Sequence, residues 1–134
     1  MKKKSLKGLK TKAWKLFSEY IRRKDADEGG TVHCYTCRAP IFWREAHAGH
    51  FVPGRKNAVL FNEDVVRPQC VRCNIFLGGS YHAYTLRMVD EVGRERVDEL
   101  LALRHKVLKL TRSDMEEIIE KYKQKLAELE LEPA

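Results

Sequence analysis

"CYTC" at Cys34–Cys37 and "CVRCN" at Cys70–Asn74 frame the middle of this 134-residue chain, with 32 residues between the two cysteine pairs. The chain has no other cysteine. A Cys-x-x-Cys turn can aim two thiolates at one point, and two such turns complete a tetrahedral sulfur shell for zinc. Four thiolates leave no open position for water or substrate, so the zinc predicted at Cys34, Cys37, Cys70 and Cys73 is structural. A redox role would need a single Cys-x-x-Cys on a βαβ unit, not two knuckles. His33 adjoins the first pair, but the shell is already filled without it.

A metal clip also suits the composition. Hydrophobic residues make up 43% of the chain and charged residues 34%, which predicts one domain with a small core in need of a staple. No apolar run is long enough for a membrane span. The start, "MKKKSLKGLKTKAWKLF", is basic but lacks the apolar stretch of a signal peptide. A cytoplasmic location follows as the expectation, and thiols there bind metal rather than pair as disulfides. The net charge of +7 is uneven: residues 1–24 hold ten Lys or Arg against Glu19 alone, whereas residues 88–134 have an acidic excess. Such density attracts polyanions, nucleic acid first among them. The alternative is a solvated tail that serves solubility.

Outward from the knuckles, residues 1–10 read as a flexible basic arm and residues 11–134 as one domain. From Thr11 to Lys24, Trp14, Phe17, Tyr20 and Ile21 recur at helical spacing, predicting an amphipathic helix with its aromatic side in the core. "TVHCYTC", "IFWRE", "GHFVPGR" and "AVLF" predict short strands, with a hairpin near "PGRKN". A short helix should start at the second cysteine pair and stop at Gly78 and Gly79. Helices are then expected from Ser80, as cap, to Val92, and from Arg94 to His105. In the last helix Ser113 and Glu116 have capping-box spacing, and Met115, Ile118, Ile119, Tyr122, Leu126 and Leu129 form one stripe. The helices of residues 80–131 either clasp the centre at residues 31–79 or pair across a dimer; charge does not decide.

Between the knuckles lie "EAHAGHF" (45–51) and "FNEDVVRPQC" (61–70). Metal-dependent phosphodiester hydrolysis needs a base to activate water and a divalent cation to stabilise charge on the phosphate. Neutral imidazole suits the first task near pH 7. An Asn carbonyl, with an imidazole or carboxylate, suits Mg²⁺ or Mn²⁺.

"HAGHF…LFNEDVVRPQCVRCN", continuing into "YHAYTLRMVDEVGRERVDEL" and "MEEIIEKYKQKLAEL", closely resembles the phage lambda NinG (Rap) recombination family. "LKTKAWKLFSEYIRRKDADEGGTVHCYTC" matches it too, so the likeness covers nearly the whole chain from about residue 9. That family is similar to HNH, or ββα-metal, nucleases, and acts on branched recombination intermediates such as Holliday junctions and D-loops. The resemblance implies an α+β fold: a small zinc-bound ββα-metal core with a two-stranded antiparallel hairpin, flanked by N- and C-terminal helices. It implies a structure-specific DNA endonuclease encoded by a phage or prophage. The alternatives are a less selective nicking nuclease on duplex DNA, and a catalytically inactive zinc-ribbon recombination mediator.

Carried over residue by residue, His50 takes the general-base position and Asn74 the metal-ligand position. The Asp that usually precedes the base in the broad HNH pattern is here Gly49, which makes His47 the substitute ligand for Mg²⁺ or Mn²⁺. Gly49 would then let the backbone turn so that His47 and His50 converge. Asn62 takes the base-orienting position, with Glu63 or Asp64 as alternative metal ligands; His82 has no role. Arg38, Arg44, Arg55, Lys56, Arg67 and Arg72, with the arm, would grip the DNA backbone without reading bases. Two cuts per junction imply a homodimer.

Overall fold

The computed structural model describes residues 4–131. Helix α1 spans Leu6–Arg23. Strands β1 (Thr31–His33) and β2 (Pro40–Phe42) pair antiparallel and carry the first cysteine pair between them. Strand β3 (His47–His50) pairs antiparallel with β4 (Val66–Gln69), which leads directly into the second pair. The link from β3 to β4 contains the single-turn helix α2 (Asn57–Leu60) and a 3-10 turn, Glu63–Val65. A π-helical turn over Arg72–Phe76 follows, then α3 (Tyr81–Val92), α4 (Arg94–Ala102) and α5 (Arg112–Leu131). The α+β expectation therefore holds, with two small hairpins where one was anticipated.

Neither two-stranded sheet can persist alone in water. The β3–β4 hairpin is held by α1 on one side, while α1 and α5 pack along each other. Their shared core contains Phe17, whose ring meets Tyr122 edge-on at 5.1 Å and Phe61 edge-on at 5.8 Å. The aromatic stripe of α1 is thus core, as its spacing predicts: Phe17 and Ile21 are fully buried, and Trp14 and Tyr20 half-buried. Helix α3 is fastened to β3 by the buried Tyr84 hydroxyl, which donates to the Gly49 carbonyl at 2.8 Å. The C-terminal helices clasp the centre of their own chain.

Several boundaries differ from the sequence reading, for local reasons. Helix α1 starts at Leu6 rather than Thr11 because Ser5 Oγ accepts from the Gly8 amide at 3.0 Å and Leu9 is buried beside Met115 and Ile119. Residues 6–10 are therefore helix, not flexible arm; residues 1–3 lie outside the described residues. "AVLF" winds into α2 instead of extending, burying Val59 and Leu60 as neighbours on one turn. "PGRKN" turns the chain from β3 towards α2 and does not close a tight hairpin. Ser80 holds the N-cap position of α3, as expected, but its side chain does not cap the helix: it sits at φ 51°, and its hydroxyl donates to the Cys73 carbonyl at 3.3 Å.

The capping box of α5 lies two residues earlier than Ser113 and Glu116. Thr111 Oγ1 accepts from the Asp114 amide at 3.1 Å, and Asp114 Oδ2 accepts from the Thr111 amide at 2.8 Å. Both pairs have the same spacing, so sequence alone could not choose between them. Thr111→Ala is expected to cost about 1 kcal/mol in urea unfolding. Ser113→Ala should stay within about 0.5 kcal/mol; a larger loss there would restore the Ser113 cap.

Candidate functional site

The two knuckles meet because the first is tied directly to β4: the Tyr35 amide, within the first knuckle, donates to the Pro68 carbonyl at 2.8 Å. The first knuckle closes through Cys34 N to Ala39 O and Arg38 N to Cys34 O, with Arg38 at φ 70°. In the second, the Cys73 amide points at Cys70 Sγ, 3.4 Å away. All four cysteines are free thiols, and their sulfurs lie within 4.8 Å of one another. Cys37 Sγ and Cys70 Sγ are 3.7 Å apart, close to the edge of roughly 3.8 Å that a tetrahedron with Zn–S bonds of about 2.3 Å requires. Donor type, number and spacing fit zinc.

Electrostatics make the same point. Burial opposes ionisation of Cys34, but hydrogen bonds from Thr36 and from the Cys37 and Cys70 backbone bring it down to about 6. At Cys37 a backbone hydrogen bond at Ala39 favours the thiolate, yet burial and the three neighbouring thiols push it up to about 12. Four thiolates can coexist at this spacing only around a cation.

The second knuckle also positions Asn74. The Asn74 amide N–H bonds to the Cys70 carbonyl at 3.0 Å, and its side chain reaches His47 at the start of β3, with Nδ2 3.0 Å from Nδ1. A half-turn of the Asn74 amide puts Oδ1 in that place. A separation of about 3 Å is the edge of an octahedron with metal–ligand bonds near 2.1 Å, so His47 and Asn74 can serve as adjacent ligands of one Mg²⁺ or Mn²⁺.

His50, at the other end of β3, is 8% exposed, stacks on the Trp14 indole (centroids 5.3 Å apart, planes 18° apart) and places Nε2 3.2 Å from the Leu60 carbonyl. A carbonyl only accepts, so Nε2 carries the proton and Nδ1 keeps the lone pair. Burial lowers the pKa of His50, outweighing the Leu60 hydrogen bond that raises it; the Arg55 charge lowers it further. His50 is thus neutral near pH 7.

Gly49 does not bend β3 to bring the histidines together. It pairs with Arg67 in the regular register, and strand alternation sends His47 and His50 to opposite faces. Its missing side chain serves Gln69: a Cβ on Gly49 would lie 1.9 Å from Gln69 Oε1. Gln69 is fully buried and held through Nε2 by the Thr36 hydroxyl and the Gly79 carbonyl.

Asn62 makes no hydrogen bond to His50; its Oδ1 accepts from the Asp64 amide at 2.9 Å and caps the following turn. Glu63 faces α5, where it accepts from Tyr122 at 2.7 Å and Lys125 at 2.9 Å. Burial opposes its charge, but those two partners hold its carboxyl below the ordinary value. Asp64 pairs with Arg96 at 3.0 Å. Of the basic residues, Arg67 is engaged by the Glu63 carbonyl and by Glu91, and Lys56 donates to the Arg104 carbonyl. Arg38, Arg44, Arg55 and Arg72 are exposed, as are His33 and His82. Leu60 and Gln69 were not singled out by sequence. Leu60 acts through its backbone carbonyl, which no residue type announces, and Gln69 sat unread beside Cys70.

A family described as Bacteriophage Lambda NinG protein matches residues 1–132. The chain belongs to the NinG family. Among curated relatives it is similar to the protein ninG of Escherichia phage lambda and to that of Escherichia phage 933W, each 29% identical over 111 residues. The ninG protein of Salmonella phage P22 is 28% identical over the same length. Those alignments cover 82% of this chain and 52% of each relative, so the chain spans about half the length of the curated NinG proteins it matches. No solved structure matches it. No helix among the described residues is long and apolar enough to cross a membrane.

Proposed function

We propose that this NinG-family chain is a metal-dependent, structure-specific DNA endonuclease of the HNH type, hydrolysing phosphodiesters in branched recombination intermediates such as Holliday junctions and D-loops. The observation that carries the reading is His50: a buried, neutral imidazole locked by the Leu60 carbonyl with its Nδ1 lone pair available. That is the state a general base needs near neutral pH. Across β3, His47 and Asn74 have the donor types and spacing for a hard divalent cation. A Mg²⁺ or Mn²⁺ held there would supply positive charge to the DNA backbone on the face of β3 opposite His50.

In this mechanism His50 Nδ1 takes a proton from water as the water oxygen attacks phosphorus. The P–O3′ bond breaks, leaving a 5′ phosphate and a 3′ oxygen that takes a proton from solvent to become a hydroxyl. Asn62 acts at a distance, capping the turn that follows the Leu60 carbonyl and so holding the loop that orients the imidazole. The cysteine clip fixes Asn74 in the π-helical turn that follows β4. A homodimer would place two such sites on opposite strands of a junction.

Cleavage of a synthetic four-way junction with Mg²⁺ or Mn²⁺ tests the proposal, with linear duplex as the comparison substrate. His50→Ala is expected to lose at least 100-fold in rate while still binding the junction. The rate should rise with pH through a midpoint below the ordinary histidine value of 6.5, because burial stabilises the neutral imidazole. If the natural protein and His50→Ala both bind and neither nicks any substrate, the chain is a DNA-binding mediator. Equal cutting of duplex and junction would make it a general nicking nuclease.

A further inference from the structure

Beside His50 the surface opens into a groove of about 270 Å³ between α1 and the β3–α2 link, lined by Lys7, Lys10, Thr11, Trp14, Arg55 and Leu60. Three of these six residues are cationic and none is acidic. Lys10 is steadied by a 3.0 Å bond from Nζ to Asn57 Oδ1. The Arg55 guanidinium lies over the Trp14 ring, 4.4 Å from its centroid, on a residue with φ 48°. An arginine in the left-handed region is uncommon and costs free energy; here the conformation places its charge over the indole that also stacks on His50. Leu60, whose carbonyl holds the His50 ring, forms the opposite wall. The groove and the proposed base therefore share Trp14 and Leu60.

We infer that this groove is a binding track for the phosphodiester backbone of DNA, delivering one strand past Trp14 to His50, with Lys7, Lys10 and Arg55 as its phosphate contacts. Lysine and arginine side chains hold phosphates through charge and carry no sequence readout, which suits a protein that selects shape. The track shifts the DNA contacts from a flexible N-terminal arm to a rigid helix and the link beside it. It rests on the endonuclease reading for its direction towards His50, but not for its occupancy by DNA.

The test measures binding of a fluorescent four-way junction over a salt series in Ca²⁺, so that cleavage plays no part. Lys7→Ala/Lys10→Ala/Arg55→Ala is expected to weaken binding tenfold or more at about 0.1 M salt and to reduce the slope of log Kd against log salt by about three, one for each phosphate no longer neutralised. Lys7→Arg/Lys10→Arg/Arg55→Lys should keep the natural slope. The comparison variant Arg94→Ala/Lys121→Ala/Lys123→Ala removes the same charge from exposed positions on α4 and α5 outside the groove. Thermal unfolding of each variant separates weakened DNA binding from a failure to fold. The inference is overturned if the groove variant, still folded, keeps the natural slope, or if the comparison variant loses as much. If the groove variant alone loses binding while the natural protein cleaves nothing in Mg²⁺ or Mn²⁺, the track stands and the endonuclease reading falls.

Discussion

Cys73→Ser is expected to release the zinc and unfold the chain at room temperature. Cys73 is 2% exposed, and its carbonyl also accepts from the Gly79 amide at 2.9 Å and the Ser80 hydroxyl at 3.3 Å. Losing one of four sulfur ligands removes much of a zinc-binding free energy on the order of 10 kcal/mol or more. The whole stability of a domain this size is about 5–15 kcal/mol. The hairpins flanking the site have three or four residues per strand and no third strand to lean on. Zinc content by atomic absorption and helicity by circular dichroism should fall together, and a strong chelator should reproduce the loss in the natural protein. Retention of both zinc and native helicity by Cys73→Ser would sink the structural-zinc reading, whatever the fate of the nuclease proposal.

Gly49→Asp should destabilise the protein severely. On the HNH pattern alone this substitution restores a missing metal ligand and ought to help. In the fold the first side-chain carbon lands 1.9 Å from Gln69 Oε1 and 2.7 Å from the Gln69 amide carbon. Gln69 cannot yield, because it is fully buried and its Nε2 is bonded on two sides. Overpacking at such a site, with a carboxylate brought into a buried position, costs about 3 kcal/mol or more. Urea unfolding of Gly49→Asp, Gln69→Ala and the double variant measures the clash directly. The double variant should be markedly more stable than the sum of the single losses predicts, since removing the Gln69 amide frees the space. A Gly49→Asp protein as stable as the natural one would show that the glycine answers some other need.

The sequence was most legible where a chemical requirement is local. Two Cys-x-x-Cys turns carry their own geometry, and the apolar stripes of α1 and α5 repeat at helical spacing whatever they pack against. Residue choice also located the end of the turn after the second knuckle, where Gly78 and Gly79 both adopt positive φ. Boundaries were less legible wherever two residues could do the same job, as with the Thr111 and Ser113 caps. "AVLF" misled because a short apolar run fits a buried strand and a buried helical turn equally well.

By itself, then, the sequence determined the four-cysteine clip, the helical frame and the histidine- and asparagine-bearing insert, because ligand spacing and hydrophobic period are properties of neighbours along the chain. Only the tertiary structure decided what the insert does with its side chains. It set His47 against Asn74, turned His50 to the other face against Trp14 and the Leu60 carbonyl, tied Glu63 to α5, and gave Gly49 its reason in Gln69. Each is a contact between residues distant in sequence or involves a backbone atom with no residue-type signature, and such pairings exist only once the chain has folded.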